Sequence, residues 1–221
     1  MMKKLPFFLA ALGLAVGSLL AGETVVLFDG KSLDQWEGGK GEAPGEGWVI
    51  EADGSLFRKE KSGDIVSKLA FSSFEMEWEW KISEGGNSGV KYWVNKIANQ
   101  NLGLEYQLID DERHADALKG GNRQSAAIYD IKAAAEKAAK PVGEWNKSKV
   151  VAKGTKLEHW LNGQQVVTVD TASEEWKERI AASKFLKYAD QGFAPGSGKI
   201  LLQDHGDQVW FRNIVVKKLD D

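Results

Sequence analysis

The sequence predicts an all-β protein, a sandwich or jelly roll with short helical insertions. Stretches of apolar–polar alternation recur along the chain, turn-forming residues separate them at short intervals, and only two segments carry a helical pattern. A chain of 221 residues suits one such domain, since all-β sandwiches run past about 200 residues without dividing.

The first segment reads as a leader rather than as part of the fold. Lys3 and Lys4 give a positive start, Leu5 to Leu20 is apolar and uncharged, and the small residues Ala21 and Gly22 precede Glu23. This is the pattern of a secretory signal peptide over residues 1–22, with an apolar run short for a membrane anchor. The expected mature unit is a single domain over 23–221, secreted or periplasmic. The sequence contains no cysteine, so we expect neither a lipid anchor after the leader nor a disulfide framework. Loss of the two leader lysines takes the net charge from −3 to about −5. That mild acidity carries no basic stripe for nucleic acid or an anionic membrane.

The strands follow. In Phe74–Ile82, Met76, Trp78, Trp80 and Ile82 take one face and Glu75, Glu77, Glu79 and Lys81 the other, the pattern of an antiparallel strand with one wet side. Three glutamates in file suit open solvent. Gly85-Gly86-Asn87 turns the chain. Val90, Tyr92 and Val94 then alternate with Lys91 and Trp93, and Leu104, Tyr106 and Leu108 with Glu105 and Gln107. Val150-Val151 lies in a further strand. Asn162-Gly163 is a type I′ hairpin signal between Lys156–Leu161 and Gln165–Asp170. Lys199–Gln203 and Val209–Val216 are joined by the polar turn Asp204-His205-Gly206-Asp207. The helical patches are Ala-rich Lys132–Lys140, ending at Pro141, and Glu174–Ser183, with Ser173 as N-cap and two glutamates in its first turn.

Polar residues on the wet faces of these strands are the functional candidates. Lys91 and Trp93 share a face, as do Glu105 and Gln107. Gln203 and His205 join them if Ile200 and Leu202 are core. In a concave sheet these groups would line one groove, equipped to grip a polyol and move protons; otherwise they coat a solvated sheet. Asn87 and Ser88 sit in the turn before Lys91. Asp110, Asp111 and His114 could hold a divalent cation, although their spacing matches no EF-hand or zinc signature, and a solvated turn is the more common reading of such a run. His159 shares parity with Leu157 and Leu161 and is expected to be a hydrogen-bonded core or edge residue. Trp160 falls on the opposite face, where it could stack on a sugar. Nine tryptophans suit both a β core and sugar binding, because an indole covers the apolar face of a pyranose. No P-loop, dinucleotide fingerprint, Gly-x-Ser-x-Gly elbow or His-Glu-x-x-His occurs, which removes those reaction classes and any nucleotide cofactor.

Several stretches, taken in order, resemble the 3-keto-disaccharide hydrolase domain family. They are Leu27-Phe28-Asp29-Gly30-Lys31-Ser32-Leu33 with Trp36, Gly86-Asn87-Ser88-Gly89-Val90, Glu105-Tyr106-Gln107-Leu108-Ile109-Asp110, Gly143-Glu144-Trp145-Asn146, Trp160-Leu161-Asn162-Gly163, Leu202-Gln203-Asp204-His205-Gly206 and Phe211-Arg212-Asn213-Ile214. Asp110 to Ala117, Leu157 to Trp160 and Ser183-Lys184-Phe185 look like a secreted bacterial subset. The resemblance implies a concanavalin A-like jelly roll acting on glycosides oxidised at C3. It carries over Asn87, Glu105, Gln107, Asp110 and His205 as site candidates, with Tyr129 at a position where the family keeps a tyrosine.

A ketone at C3 acidifies the hydrogen on C2, so deprotonation and β-elimination can expel the glycosidic oxygen from C1. Such chemistry needs a base near C2, a cation or donor at the enolate oxygen and an acid near the leaving oxygen. Glu105 or His205 is the expected base, with Lys91 or a metal at the enolate. Asn87, Gln107, Tyr129, Trp160 and Gln203 would hold the sugar. The ketone would come from a separate sugar 3-dehydrogenase. Two other readings stay open. One is a non-catalytic carbohydrate-binding module. The other is a conventional glycoside hydrolase, for which Glu105 and Asp110 are the carboxylate pair in reach. Export is the first testable expectation: expressed in a bacterium, the chain should leave the cytoplasm shortened near Gly22, and N-terminal sequencing that finds Met1 on cytosolic protein would reject it.

Overall fold

The computed structural model describes residues 22–220; the leader reading up to Ala21 lies outside them. Two antiparallel sheets face each other across one core. The larger contains β1 (Thr24–Phe28), β3 (Trp48–Ile50), β4 (Leu56–Arg58), β6 (Phe74–Ile82), β9 (Asn146–Lys153), β10 (Lys156–Leu161), β11 (Gln164–Asp170) and β13 (Val209–Lys218). Its order is β11-β10-β9-β6-β13-β4-β3, with β1 also on β13. The smaller sheet has the order β2 (Trp36–Gly38), β5 (Ile65–Phe71), β12 (Gly198–Leu202), β7 (Asn87–Ile97), β8 (Gln100–Ile109). The chain crosses repeatedly between the sheets, as in a jelly roll of the concanavalin A-like kind.

The alternation of β6 is realised in full. Phe74, Met76, Trp78, Trp80 and Ile82 are buried, while Glu75, Glu77 and Glu79 stand on the outer face and pair with Lys149, Lys147 and Arg212. Asn162 and Gly163 both adopt positive φ, 50° and 86°, as a type I′ turn requires. The helix α1 spans Glu174–Ala181, and the Ser173 side chain accepts a hydrogen bond from the Trp176 amide.

Two expectations fail. Lys132–Lys140 is not a helix. The Ala135 amide donates to Val166 O, the Asn162 side-chain Nδ2 to Ala138 O, and the Lys140 amide to Asn146 Oδ1. The alanines Ala134, Ala138 and Ala139 pack against the core. Side-chain and cross-strand partners thus take the backbone groups that a helix would have used. Trp93 does not share the outer face with Lys91. A bulge between Tyr92 and Asn95, with Trp93 at φ 52°, turns its indole into the core, where Nε1 donates to Ser72 O. Val94 is thrown outward onto Val66 and Leu201.

Two buried polar bridges tie the sheets together. Trp80 Nε1 donates to Ser148 Oγ (2.8 Å), which donates to the Tyr106 hydroxyl (2.8 Å), which in turn donates to Trp160 O (3.1 Å). His159 is the core residue its parity suggests. Its Nδ1 donates to Ala126 O (2.8 Å), so Nε2 accepts from the Tyr92 hydroxyl (2.9 Å). Burial lowers the His159 pKa from 6.5 to about 4, the Ala126 carbonyl only partly opposing it. The unfolded chain therefore binds a proton between about pH 6.5 and 4 that the folded one refuses, and stability falls as pH drops through that window. The full effect is about 3 kcal/mol. Urea titrations at pH 7 and pH 4 should show this increment in the native chain and not in His159→Gln; equal pH dependence in both would remove the histidine from the account.

Candidate active site

The outer face of the smaller sheet gathers most of the candidates. On β8, Tyr106 and Leu108 plunge into the core, so Glu105 and Gln107 must face outward. On β7, Ser88 and Val90 are core, which sets Asn87, Gly89 and Lys91 outside. Register then builds two rows across the strands. In one, Val66, Leu201, Lys91 and Glu105 stand side by side. The Tyr129 amide donates to Glu105 O (2.9 Å), adding Tyr129 to that row. In the other, Gln203 donates its amide to Gly89 O (2.9 Å), and Gly89 pairs with Gln107. Asp64, one residue before the Ile65–Leu202 pair, falls beside Gln203 at the other end.

Glu105 is buried, and its carboxylate lies over Gly89, where a Cβ would come within 2.6 Å of Oε1. Its Oε2 sits 3.7 Å from Lys91 Nζ. With its amide turned so that the nitrogen faces acceptors, Gln107 donates to Glu105 Oε1 (3.2 Å) and Ser88 O (3.0 Å). Two buried amide oxygens at this face, Asn87 Oδ1 and Gln203 Oε1, have no hydrogen-bond partner among the described residues. A buried acceptor left so costs about 1–3 kcal/mol, which a hydroxyl donor of a bound polyol would recover.

Tyr129 is held from the far side. Its hydroxyl donates to Asp116 Oδ2 (2.8 Å) and accepts from Arg123 (2.8 Å), and Arg123 also pairs with Asp116 and Asp130. Burial and the Asp116 carboxylate raise the Tyr129 pKa. Asp116 feels burial too, but Lys119, Tyr129 and Arg123 outweigh it and hold it near 2. The Lys184 ammonium lies 4.1 Å from the Tyr129 ring centre. Withdrawal from water there lowers its pKa, with Glu105 opposing and Lys91 adding to the shift.

His205 is exposed, 6.3 Å from the His114 ring. Its loop is fixed by a buried ion pair, Asp204 with Arg58 at 2.6 Å. Asp204 also accepts from the Ser62 and Gly63 amides, which with Arg58 override the effect of burial and lower its pKa. The Asp204 amide donates to Asp64 Oδ1 (2.9 Å). Burial raises the Asp64 pKa, the Asp204 amide and the Lys91 ammonium opposing it.

Other candidates fall elsewhere. Trp160 stands on the outer face of the larger sheet, with Lys149 Nζ 4.5 Å over its ring and Nε1 donating to Glu158. The parity that buries His159 carries it away from the groove. Asp110 is spent on backbone, accepting from Gly85, Glu112 and Arg113 amides. Asp111 accepts from the Ser125 amide. Both line a separate cavity of about 370 Å³ at the end of the sandwich with Trp80, Ile82 and Pro141. Asp110, Asp111 and His114 therefore do not converge on a cation, and among the described residues no three histidine, aspartate or glutamate side chains form a metal-holding set. Nor is Asp110 the groove partner of Glu105.

Sequence reasoning missed Asp64, Gly89, Arg123 and Lys184. Asp64 carried a usable signal, since extending the alternation of β5 back from Val66 puts it on the same face. Arg123 and Lys184 lie on loops, where no periodicity fixes a direction. A hollow of about 390 Å³ lined by Glu37, Val66, Val94, Asn101 and Lys199 continues this face beyond Leu201.

Comparison with known proteins agrees with this architecture. A β-glucanase of Bacillus licheniformis superposes with a TM-score of 0.53 at 9% identity, over 92% of this chain and all of that one, a likeness of fold alone. A Parabacteroides distasonis protein described provisionally as a glycosyl hydrolase superposes with a TM-score of 0.80 at 34% identity, over 89% of this chain and 94% of that one. The 3-keto-disaccharide hydrolase of Bacteroides thetaiotaomicron is 37% identical, over 89% of this chain and 78% of its own length. A sequence profile, the 3-keto-alpha-glucoside-1,2-lyase-like domain, matches residues 23–217. The chain belongs to the 3-keto-alpha-glucoside-1,2-lyase-like domain family.

Proposed function

We propose that this protein cleaves the glycosidic bond of 3-keto-glycosides by removing the C2 proton and eliminating the C1 substituent, with water adding afterwards for net hydrolysis. The observation that carries the reading is the side-by-side placement of Glu105 and Lys91, 3.7 Å between Oε2 and Nζ. The C2 hydrogen and the C3 carbonyl oxygen are on adjacent carbons. A base and a cation this close can therefore reach both at once, the carboxylate taking the proton and the ammonium meeting the enolate oxygen. His205, exposed at the rim, is the less suited base because the cation of its loop, Arg58, is already engaged by Asp204 and Gly206 O.

Asn87, Gln107, Gln203 and Tyr129 surround this pair and offer acceptors and donors for hydroxyl groups. The hollow beyond Leu201 gives room for a second sugar ring. The ketone is supplied by a separate sugar 3-dehydrogenase, and the leader reading places the reaction in the periplasm or outside the cell.

The first test is substrate: a 3-keto-glucoside should be cleaved and its unoxidised parent left intact, with deuterium at C2 slowing turnover or washing into solvent. Retention of the C2 label through turnover would move the chemistry to direct displacement at C1, and tight binding of ordinary sugars without turnover of either form would make the protein a lectin. The second test is residues. Glu105→Gln should lower kcat roughly 100- to 10,000-fold and Lys91→Met roughly 100- to 1,000-fold, with the thermal transition close to that of the native chain. Gly89→Ala, which displaces the Glu105 carboxylate without touching its chemistry, should resemble Glu105→Gln in kcat. Near-native rates in Glu105→Gln would transfer the base role to another residue.

A further inference from the structure

Cleavage by elimination needs a third group, an acid for the departing oxygen, and the Glu105–Lys91 pair does not supply it. Asp64 is a carboxyl on this face that has no ion pair among the described residues and accepts a single backbone amide. Its one described hydrogen bond runs from the Asp204 amide to Oδ1, which fixes the side chain and leaves Oδ2 for a ligand. Asp64 lies in the same cross-strand row as Gly89, over which the Glu105 carboxylate rests. Two strand spacings, about 10 Å of backbone, separate them. Gln203, whose Oε1 is buried and unpartnered, sits between them.

We infer that Asp64 is the acid that protonates the departing glycosidic oxygen. The inference rests on the elimination reading above. In the step, Glu105 takes the C2 proton, the C2–H electrons form the C1=C2 bond, and the C1–O bond breaks with its electron pair on oxygen. The Asp64 O–H proton moves to that oxygen, giving the free alcohol and an Asp64 carboxylate. In the return half, the carboxylate takes a proton from the water that attacks C1, and Glu105 gives its proton back to C2. Both carboxyls end as they began. The surroundings suit an acid that must start protonated. Burial and the Asp204 carboxylate raise the Asp64 pKa, while the Asp204 amide, Lys91 on β7 and His205 in the loop after β12 oppose them. Arg58 is engaged by Asp204.

The test compares two 3-keto-glucosides, one with methanol and one with 4-nitrophenol as leaving group. Methoxide cannot leave without a proton and nitrophenolate can. Asp64→Asn keeps an oxygen for the Asp204 amide. It should lose roughly 100- to 10,000-fold in kcat on the methyl glycoside and less than about tenfold on the nitrophenyl one. In D2O, methyl substrate recovered from the variant should carry more C2 deuterium per cleavage event than with the native chain, because deprotonation persists while departure stalls. Equal losses on both substrates, or none on the methyl glycoside, would overturn the assignment while leaving the elimination intact. Absence of C2 exchange and of 3-keto cleavage in the native chain would overturn the elimination and the assignment together. Should the variant fail to fold, the native chain decides. Its kcat/KM should fall at high pH for the methyl glycoside with no matching fall for the nitrophenyl one, and identical pH profiles would reject Asp64 as the acid.

Discussion

The structure depends on where Tyr106 is held. Its hydroxyl is engaged with Ser148 and Trp160 O of the opposing sheet, its ring meets Trp78 edge-on at 4.9 Å, and the residue is fully buried. A strand alternates without exception until a bulge intervenes, so fixing Tyr106 inward fixes Glu105 and Gln107 outward. Tyr92, tied to His159 across the same gap, does the same for Lys91 on the neighbouring strand. The groove pair is thus positioned by hydrogen bonds made on the far side of its own backbone. A slip of one residue in β8 would bury Glu105 against Trp78 and expose Tyr106, which neither side chain tolerates.

This also explains why the site is built on paired strands at its centre and assembled from loops at its edges. Lys91 and Glu105 sit on paired strands, whereas Tyr129, Arg123, Lys184 and His205 are carried by connections. Those connections are pinned in turn. Tyr129 and Ala127 bond back to β8, Arg123 binds two carboxylates, and the His205 loop hangs on the Arg58–Asp204 pair. A buried ion pair is weak support for stability because desolvation offsets much of the attraction. Its worth here is positional: the same Asp204 that neutralises Arg58 also gives its amide to Asp64.

Periodicity made the strands legible, and with them Glu105, Gln107, Lys91 and Asn87. It could not show the bulge at Trp93, because the bulge inserts a residue into an unbroken apolar–polar pattern and only the backbone reveals the shift. It misread Lys132–Lys140 for a related reason. Alanine favours helix locally, but here hydrogen bonds to Val166 O and from the Asn162 side chain capture the segment. Trp160 was placed on the correct side of its strand and assigned to the wrong groove, since a sandwich has two outer faces and parity does not say which sheet a strand joins. Gly89 was invisible for the opposite reason: its contribution is the side chain it lacks.

The fold is shared with a β-glucanase at 9% identity, so the sandwich itself selects no chemistry. What separates the proposed reaction from ordinary glycoside hydrolysis is the company of Glu105. A retaining hydrolase sets two carboxyls about 5 to 5.5 Å apart and an inverting one about 6.5 to 9.5 Å, because a nucleophile or a water must attack C1 opposite an acid. The nearest charge to Glu105 is instead an ammonium at 3.7 Å. A carboxylate set beside an ammonium suits a base for a carbon acid whose own anion the same ammonium will receive. As the C2 proton moves to Glu105, the negative charge moves to the C3 oxygen, a displacement of a few ångströms that Lys91 can follow without leaving its place. The charge of the site is then the same before and after the step. A largely buried sheet face can host such a reaction without the reorganisation that separating charge would demand.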